Sequence, residues 1–117
     1  MDDQALIYEV LFILGSTRLI EQRLIDGDSA DEDLFGYCDH ETGTIYIDPS
    51  MHARKDQLVS TLVHEGLHMA YPRWSEKRVR ETEERLMETM TDEQVVAIGT
   101  IYHRLVKRKD GVKELYD

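Results

Sequence analysis

The sequence predicts an α+β domain, mainly helical, in which a short β-hairpin packs beside a motif-bearing helix that is followed by a glutamate-rich one. Three observations predict it. Within residues 54–70, Leu58 with Leu62 and Val59 with Val63 recur at helical spacing just ahead of His64-Glu65-Gly66-Leu67-His68. Residues 75–90 and 91–109 each open on a hydroxyl residue followed by acids, which marks a capped helix start. Residues 34–38 and 44–48 are short runs rich in aromatic and β-branched side chains around a polar turn ending in Gly43, the pattern of a hairpin. A length of 117 residues, 41% of them hydrophobic, suits a single domain (1–117) around one core.

Each element has its own justification. Residues 3–26 read as a first helix: Ala5, Leu6, Val10, Ile13, Leu14, Ile20 and Leu24 keep a rough helical stripe, with Gly15-Ser16-Thr17 as a kink or interruption. Residues 26–33 read as an acidic loop. Gly27 precedes Asp28 there and the closing Glu is misplaced, which excludes a calcium loop. Pro49 ends the second strand because it cannot donate to a ladder. Tyr71-Pro72-Arg73-Trp74 breaks the motif helix. Ser75 caps the next one, with Glu76 in the first turn where the helix dipole favours an acid. Val79, Leu86 and Met90 mark the face that packs on the motif helix. Thr91-Asp92-Glu93-Gln94 is a capping box for a last helix to about Lys109. Val95, Ile98, Ile101, Tyr102 and Leu105 face inward along it, and Lys107-Arg108-Lys109 complement its dipole. The tail from Asp110 is expected to fray.

Composition narrows the function classes. No stretch approaches the ~18 continuous apolar residues of a membrane span. The apolar-rich residues 8–15 are short, carry Glu9 and follow Asp2-Asp3, so neither signal peptide nor anchor is expected and the cytoplasm is the default. The lone Cys38 permits no intrachain disulfide and reads as a buried strand thiol rather than a ligand. The net charge of −10 is carried by residues 1–48, which hold 12 acids against 2 arginines. That argues against nucleic-acid binding, which needs clustered cations. It suits solubility first, and a basic polypeptide or a mimic of nucleic acid second.

The chemistry lies in His64-Glu65-Gly66-Leu67-His68. Residues i and i+4 of a helix share a face, so two imidazoles can reach one metal from one side while the Glu between them reaches a water beside it. A third protein ligand is needed. No His follows soon after His68, the next being His103, so a Glu of the next helix is the natural supplier. Glu76 and Glu83 share the face of Val79, whereas Glu81 points about 200° away from it at ~100° per residue. Helical phase alone leaves Glu76 and Glu83 open. That phase weakens the claim of Glu81, which also reads as a surface partner of Arg85, without closing it. Gly66 in a helix interior costs ~1 kcal/mol against Ala and leaves room for another element to approach.

Together these runs resemble a short gluzincin, similar in layout to the small metallopeptidases of phage and bacterial sequences. The matching pieces are Phe35-Gly36-Tyr37-Cys38-Asp39, Thr44-Ile45-Tyr46-Ile47-Asp48, Thr61-Leu62-Val63-His64-Glu65-Gly66-Leu67-His68 and Ser75-Glu76-Lys77-Arg78-Val79, within residues 35–90. The resemblance implies a hairpin, a His-Glu-x-x-His helix and a second helix that supplies Glu76 as third ligand. The function it implies is zinc-dependent peptide hydrolysis, with Zn²⁺ on His64, His68 and Glu76 and with Glu65 as general base. An edge strand along the cleft would pair with extended substrate, and residues 44–48 are the candidate. Tyr46, Tyr71 and His103 are candidate oxyanion stabilisers. The alternative is a catalytically silent, phage-encoded module of the same zincin-like shape that binds a protein partner. No nucleic-acid or membrane partner is expected. Oligomeric state is open, with the apolar stretch of helix one as a possible dimer face.

Overall fold

The computed structural model describes residues 2–26, 35–52 and 54–115. It is α+β and mainly helical, in the order α1 (Asp3–Ser16), β1 (Arg18–Asp26), β2 (Gly36–Asp39), β3 (Thr44–Ile47), a 3-10 turn (Pro49–Met51), α2 (Lys55–Ala70), α3 (Glu76–Thr89), α4 (Asp92–Leu105) and β4 (Lys107–Leu115). The helix starts follow the capping chemistry. Asp2 accepts from Ala5 N, Ser75 from Arg78 N and Thr91 from Gln94 N, while the Gln94 side chain reaches back to Thr91 N. The acidic loop expected at residues 26–33 lies outside the described residues apart from Asp26, which closes β1.

The antiparallel pair β2–β3 belongs to a four-stranded sheet of order β2-β3-β1-β4, with β1 parallel to both β3 and β4. Three expectations are corrected by this sheet. The first helix does not reach residue 26: it stops at Ser16, and Arg18–Asp26 is a strand. β1 is paired on both edges and buried on both faces, Leu19 in the main core and Ile20 and Leu24 with Tyr46 in a second cluster, so its apolar residues fall as adjacent pairs, Leu19-Ile20 and Leu24-Ile25, without strict alternation. A run of that kind cannot be told from a helix by periodicity. The last helix stops at Leu105, and Lys107-Arg108-Lys109 open β4 instead of neutralising a helix end. The chain from Asp110 is the rest of that strand, paired with β1 as far as Leu115.

A network around the half-buried Glu21 ties β4 to the body, with Arg108 itself exposed. Glu21 accepts from the Tyr102 hydroxyl at 2.5 Å and from Arg108 Nε at 3.0 Å. Burial and that hydrogen bond raise the Tyr102 pKa and keep its hydroxyl protonated. The pairing slips between Glu21 and Arg23, where Gln22 donates to the Asp110 carbonyl at 3.2 Å.

The core lies between the sheet and the helices. It gathers Leu6, Ile7, Val10 and Leu14 of α1, Val59, Leu62, Val63 and Leu67 of α2, Val79 and Leu86 of α3, and Ile98 and Tyr102 of α4. Gly66 belongs to this packing. A Cβ there would stand 3.2 Å from Val10 Cγ1, so the glycine lets α1 close on the motif helix. Among the described residues no helix is long and apolar enough to cross a membrane.

Asp48 joins three segments. It is 1% exposed, accepts from Leu24 N at 3.0 Å, and accepts from Ser50 N and Oγ at 3.0 and 2.6 Å. Its carbonyl faces His52 Nδ1 at 2.7 Å, and His52 Nε2 meets Thr61 Oγ1 of α2 at 2.9 Å. Asp48→Ala is expected to lower unfolding stability by about 3 kcal/mol, because buried donors lose a charged acceptor. Asp48→Asn, which keeps one oxygen, costs less. Urea unfolding of the two variants beside the native protein measures both.

Candidate metal centre

The second half of α2 presents His64 and His68 one turn apart, with ring centroids 4.9 Å apart. The chain then turns within residues 71–74. Tyr71 N donates to the Leu67 carbonyl, Trp74 N donates to the Tyr71 carbonyl, and the two rings stack at 4.3 Å. Ser75 starts α3 at once, so the helix returns along α2 and its first residue, Glu76, lands beside both imidazoles. His64 Nε2 lies 2.8 Å from Glu76 Oε1, and His68 Nε2 lies 2.7 Å from Glu76 Oε2. One carboxylate thus bridges the same nitrogen of both rings.

Glu83, two turns further along α3, occupies the other nitrogen of His64. Its Oε1 is 2.7 Å from Nδ1, and its Oε2 accepts from the Ser60 hydroxyl. Helical phase puts Glu76 and Glu83 on one face; the three-dimensional structure gives them different nitrogens. Glu81 takes no part and instead faces Lys77, at 3.9 Å. Arg85, the partner expected for Glu81, pairs with Asp3 of α1 at 2.8 Å.

Glu65 is 6% exposed, and its Oε2 has no hydrogen-bond partner. It lies against β2, where a Cβ on Gly36 would come within 2.9 Å of Thr61 Cγ2 and 3.1 Å of Glu65 Cγ. Ligand atoms of His64, Glu65 and His68 all lie within 4.8 Å of one another, a cluster that can hold a metal ion. The orphaned buried oxygen and the carboxylate that bridges both Nε2 atoms fit a cation among these groups.

The electrostatics follow from burial among like charges. Burial pushes the Glu65 carboxyl up to about 7. Glu76 and Glu83 push the same way, and His64 opposes them. At His64, burial works against the charged ring but is outweighed by the Glu83 hydrogen bond and by the charges of Glu65, Glu76 and Glu83, so its pKa rises. At Glu76, burial works upward but is outweighed by His64, His68 and Arg80, so its pKa falls. Cys38 sits in β2 half-buried and outside the metal cluster; burial, then Glu65 and Asp39, push its thiol up to about 12.

A cleft of about 680 Å³ runs along α2 and α3 past His64, Glu65, Glu76 and Glu83, with Phe35 and Gly36 on the β2 side. The expected substrate strand is corrected here. β3 lies inside the sheet with all four residues buried, whereas β2 is the edge strand at the cleft. None of the three expected oxyanion stabilisers lines it. Tyr46 packs with Ile20 and Leu24, Tyr71 stacks on Trp74, and His103 lies beside Tyr102. Sequence reasoning missed Ser60 and Arg80, although each is four residues from a proposed ligand, on its face of the helix. No protein-family profile, curated protein or solved structure matches the chain.

In metal-free protein the buried Glu65 predicts a pH slope. Its folded pKa of about 7 lies above the ordinary 4.5, so the folded state holds this proton more tightly. Stability is therefore fully present below about pH 4.5 and is lost as pH rises through 7, by about 3 kcal/mol in all. The lowered Glu76 acts below this window, and the raised His64 acts above 6.5. Denaturant titrations in chelator from pH 4 to 8 should show the loss in the native protein and a flatter profile in Glu65→Gln.

Proposed function

We propose that the protein is a zinc-dependent metallopeptidase of the gluzincin kind, hydrolysing a polypeptide, with His64, His68 and Glu76 as metal ligands and Glu65 as general base. The observation that carries this reading is the convergence of both Nε2 atoms on Glu76, beside a buried carboxylate oxygen that has no partner. Two imidazoles and a carboxylate, with a base alongside, are the donor set of a catalytic rather than a closed structural zinc site. Bound there, zinc would supply Lewis-acid polarisation of a carbonyl and lower the pKa of a water toward neutrality.

The chain's own residues do the rest. Glu65, with its pKa near neutrality, accepts a proton from the attacking water as the new C–O bond forms and the carbonyl electron pair moves onto oxygen. It returns that proton to the amide nitrogen as the C–N bond breaks. Glu83 accepts from His64 Nδ1, which fixes the ring and leaves Nε2 free to ligate. An extended peptide lies along β2, the described strand that reaches the cleft.

A silent module that binds a protein partner is the second reading. Tyr8 and Phe12, 62% and 67% exposed one turn apart on α1, favour it. Glu65 weighs against it, since a structural site has no use for a buried, unpartnered base.

Zinc per chain separates these readings. The native protein is expected to hold about one zinc, and His68→Ala and Glu76→Ala to lose it. Zinc lost in His68→Ala alone would move the third ligand to Glu83. No zinc after reconstitution would remove the peptidase reading. Zinc without hydrolysis of any peptide in a diverse library would favour the silent module. Glu65→Gln should keep its zinc and lose hydrolysis by about 10²- to 10⁴-fold. Glu83→Gln should bind zinc about 10- to 100-fold more weakly, measured by competition with a chromogenic chelator.

A further inference from the structure

Peptide hydrolysis places a negative charge on the carbonyl oxygen, and an enzyme needs a donor aimed at it. Among the described residues lining the cleft, Arg80 is the one Lys or Arg; apart from His64, which is paired with Glu76 and Glu83, the other charged groups there, Asp56, Glu65, Glu76 and Glu83, are acids. Arg80 stands on α3 one turn beyond Glu76, with Nη2 3.6 Å from Glu76 Oε1. That distance is too long for a committed hydrogen bond. The side chain is 65% exposed, so its donors remain free to turn into the cleft. A guanidinium carries five donors and stays charged at any working pH.

We propose that Arg80 donates to the carbonyl oxygen of the substrate as that oxygen becomes an oxyanion. The proposal rests on the peptidase reading. As water adds to the carbonyl carbon and its proton passes to Glu65, the electron pair of the C=O bond settles on oxygen beside the guanidinium. When the C–N bond breaks, that pair re-forms the carbonyl, the nitrogen takes the proton from Glu65, and Arg80 is left as it began. The acids around the cleft disfavour an anion elsewhere, which makes Arg80 selective for the oxygen that gains charge.

The test uses the zinc-loaded Glu65→Gln protein, which does not turn substrate over. By calorimetry it compares a phosphinic pseudopeptide, whose tetrahedral anion mimics the transition state, with the peptide of the same sequence. Adding Arg80→Ala should weaken phosphinate binding about tenfold or more, change peptide binding less than about threefold, and leave zinc content unchanged. Arg80→Lys should restore part of the loss. Equal losses for both ligands would overturn the proposal in favour of general charge recognition. Loss of zinc would overturn it in favour of Arg80 holding Glu76, and no change would leave Arg80 without a role. A zinc-loaded parent that binds neither ligand, together with a native protein that hydrolyses nothing, would defeat the peptidase reading itself.

Discussion

The burial of α2 is the constraint on which the rest of the structure depends. Val59, Leu62, Val63 and Leu67 are at most 1% exposed, α1 closes on Gly66, and β2 closes on Thr61 and Glu65 through Gly36. With those sides taken, Glu65 is left 6% exposed and reaches only the cleft. His64 is left facing the cleft that α3 borders, and His68 meets Glu76 beside it. A side chain at Gly66 or Gly36 would open the contacts that confine Glu65. The helix-propensity cost of Gly66, ~1 kcal/mol, is thus spent on approach.

A carboxylate confined in this way imposes an electrostatic problem that its neighbours share. Glu65, Glu76 and Glu83 crowd two imidazoles where desolvation penalises every charge. The three acids raise the His64 pKa against the pull of burial, and the two histidines lower that of Glu76. Glu65 responds by holding its proton to about pH 7. A divalent cation on the two Nε2 atoms would relieve the same crowding, so the features that make the metal-free site costly also suit it to a metal. Ser60 and Glu83 add orientation, tying His64 from the side away from Glu76.

The sheet does a different task. β1 lies between β3 and β4, and Asp48 carries its position through Ser50 and His52 to Thr61 on the motif helix. The frame of the site is therefore continuous in hydrogen bonds from the central strand to α2. Among the described strands β2 is an outer one of the sheet, and its first residue, Gly36, lines the cleft.

Local chemistry made much of this legible in sequence. The caps Ser75 and Thr91, the break at residues 71–74 and the i, i+4 histidines act over a few residues, and such signals survive without knowledge of the fold. They determined α2, α3, the start of α4 and the pairing of Glu76 or Glu83 with the motif face. What only the tertiary structure decided was set by partners distant in the chain. Residues 18–26 and 107–115 become strands because each completes the other's backbone hydrogen bonds across more than eighty residues. The division of labour between Glu76 and Glu83 was decided in the same way. Two residues on one helical face are equivalent in phase, and only the angle and depth at which α3 packs on α2 determine which nitrogen each carboxylate meets.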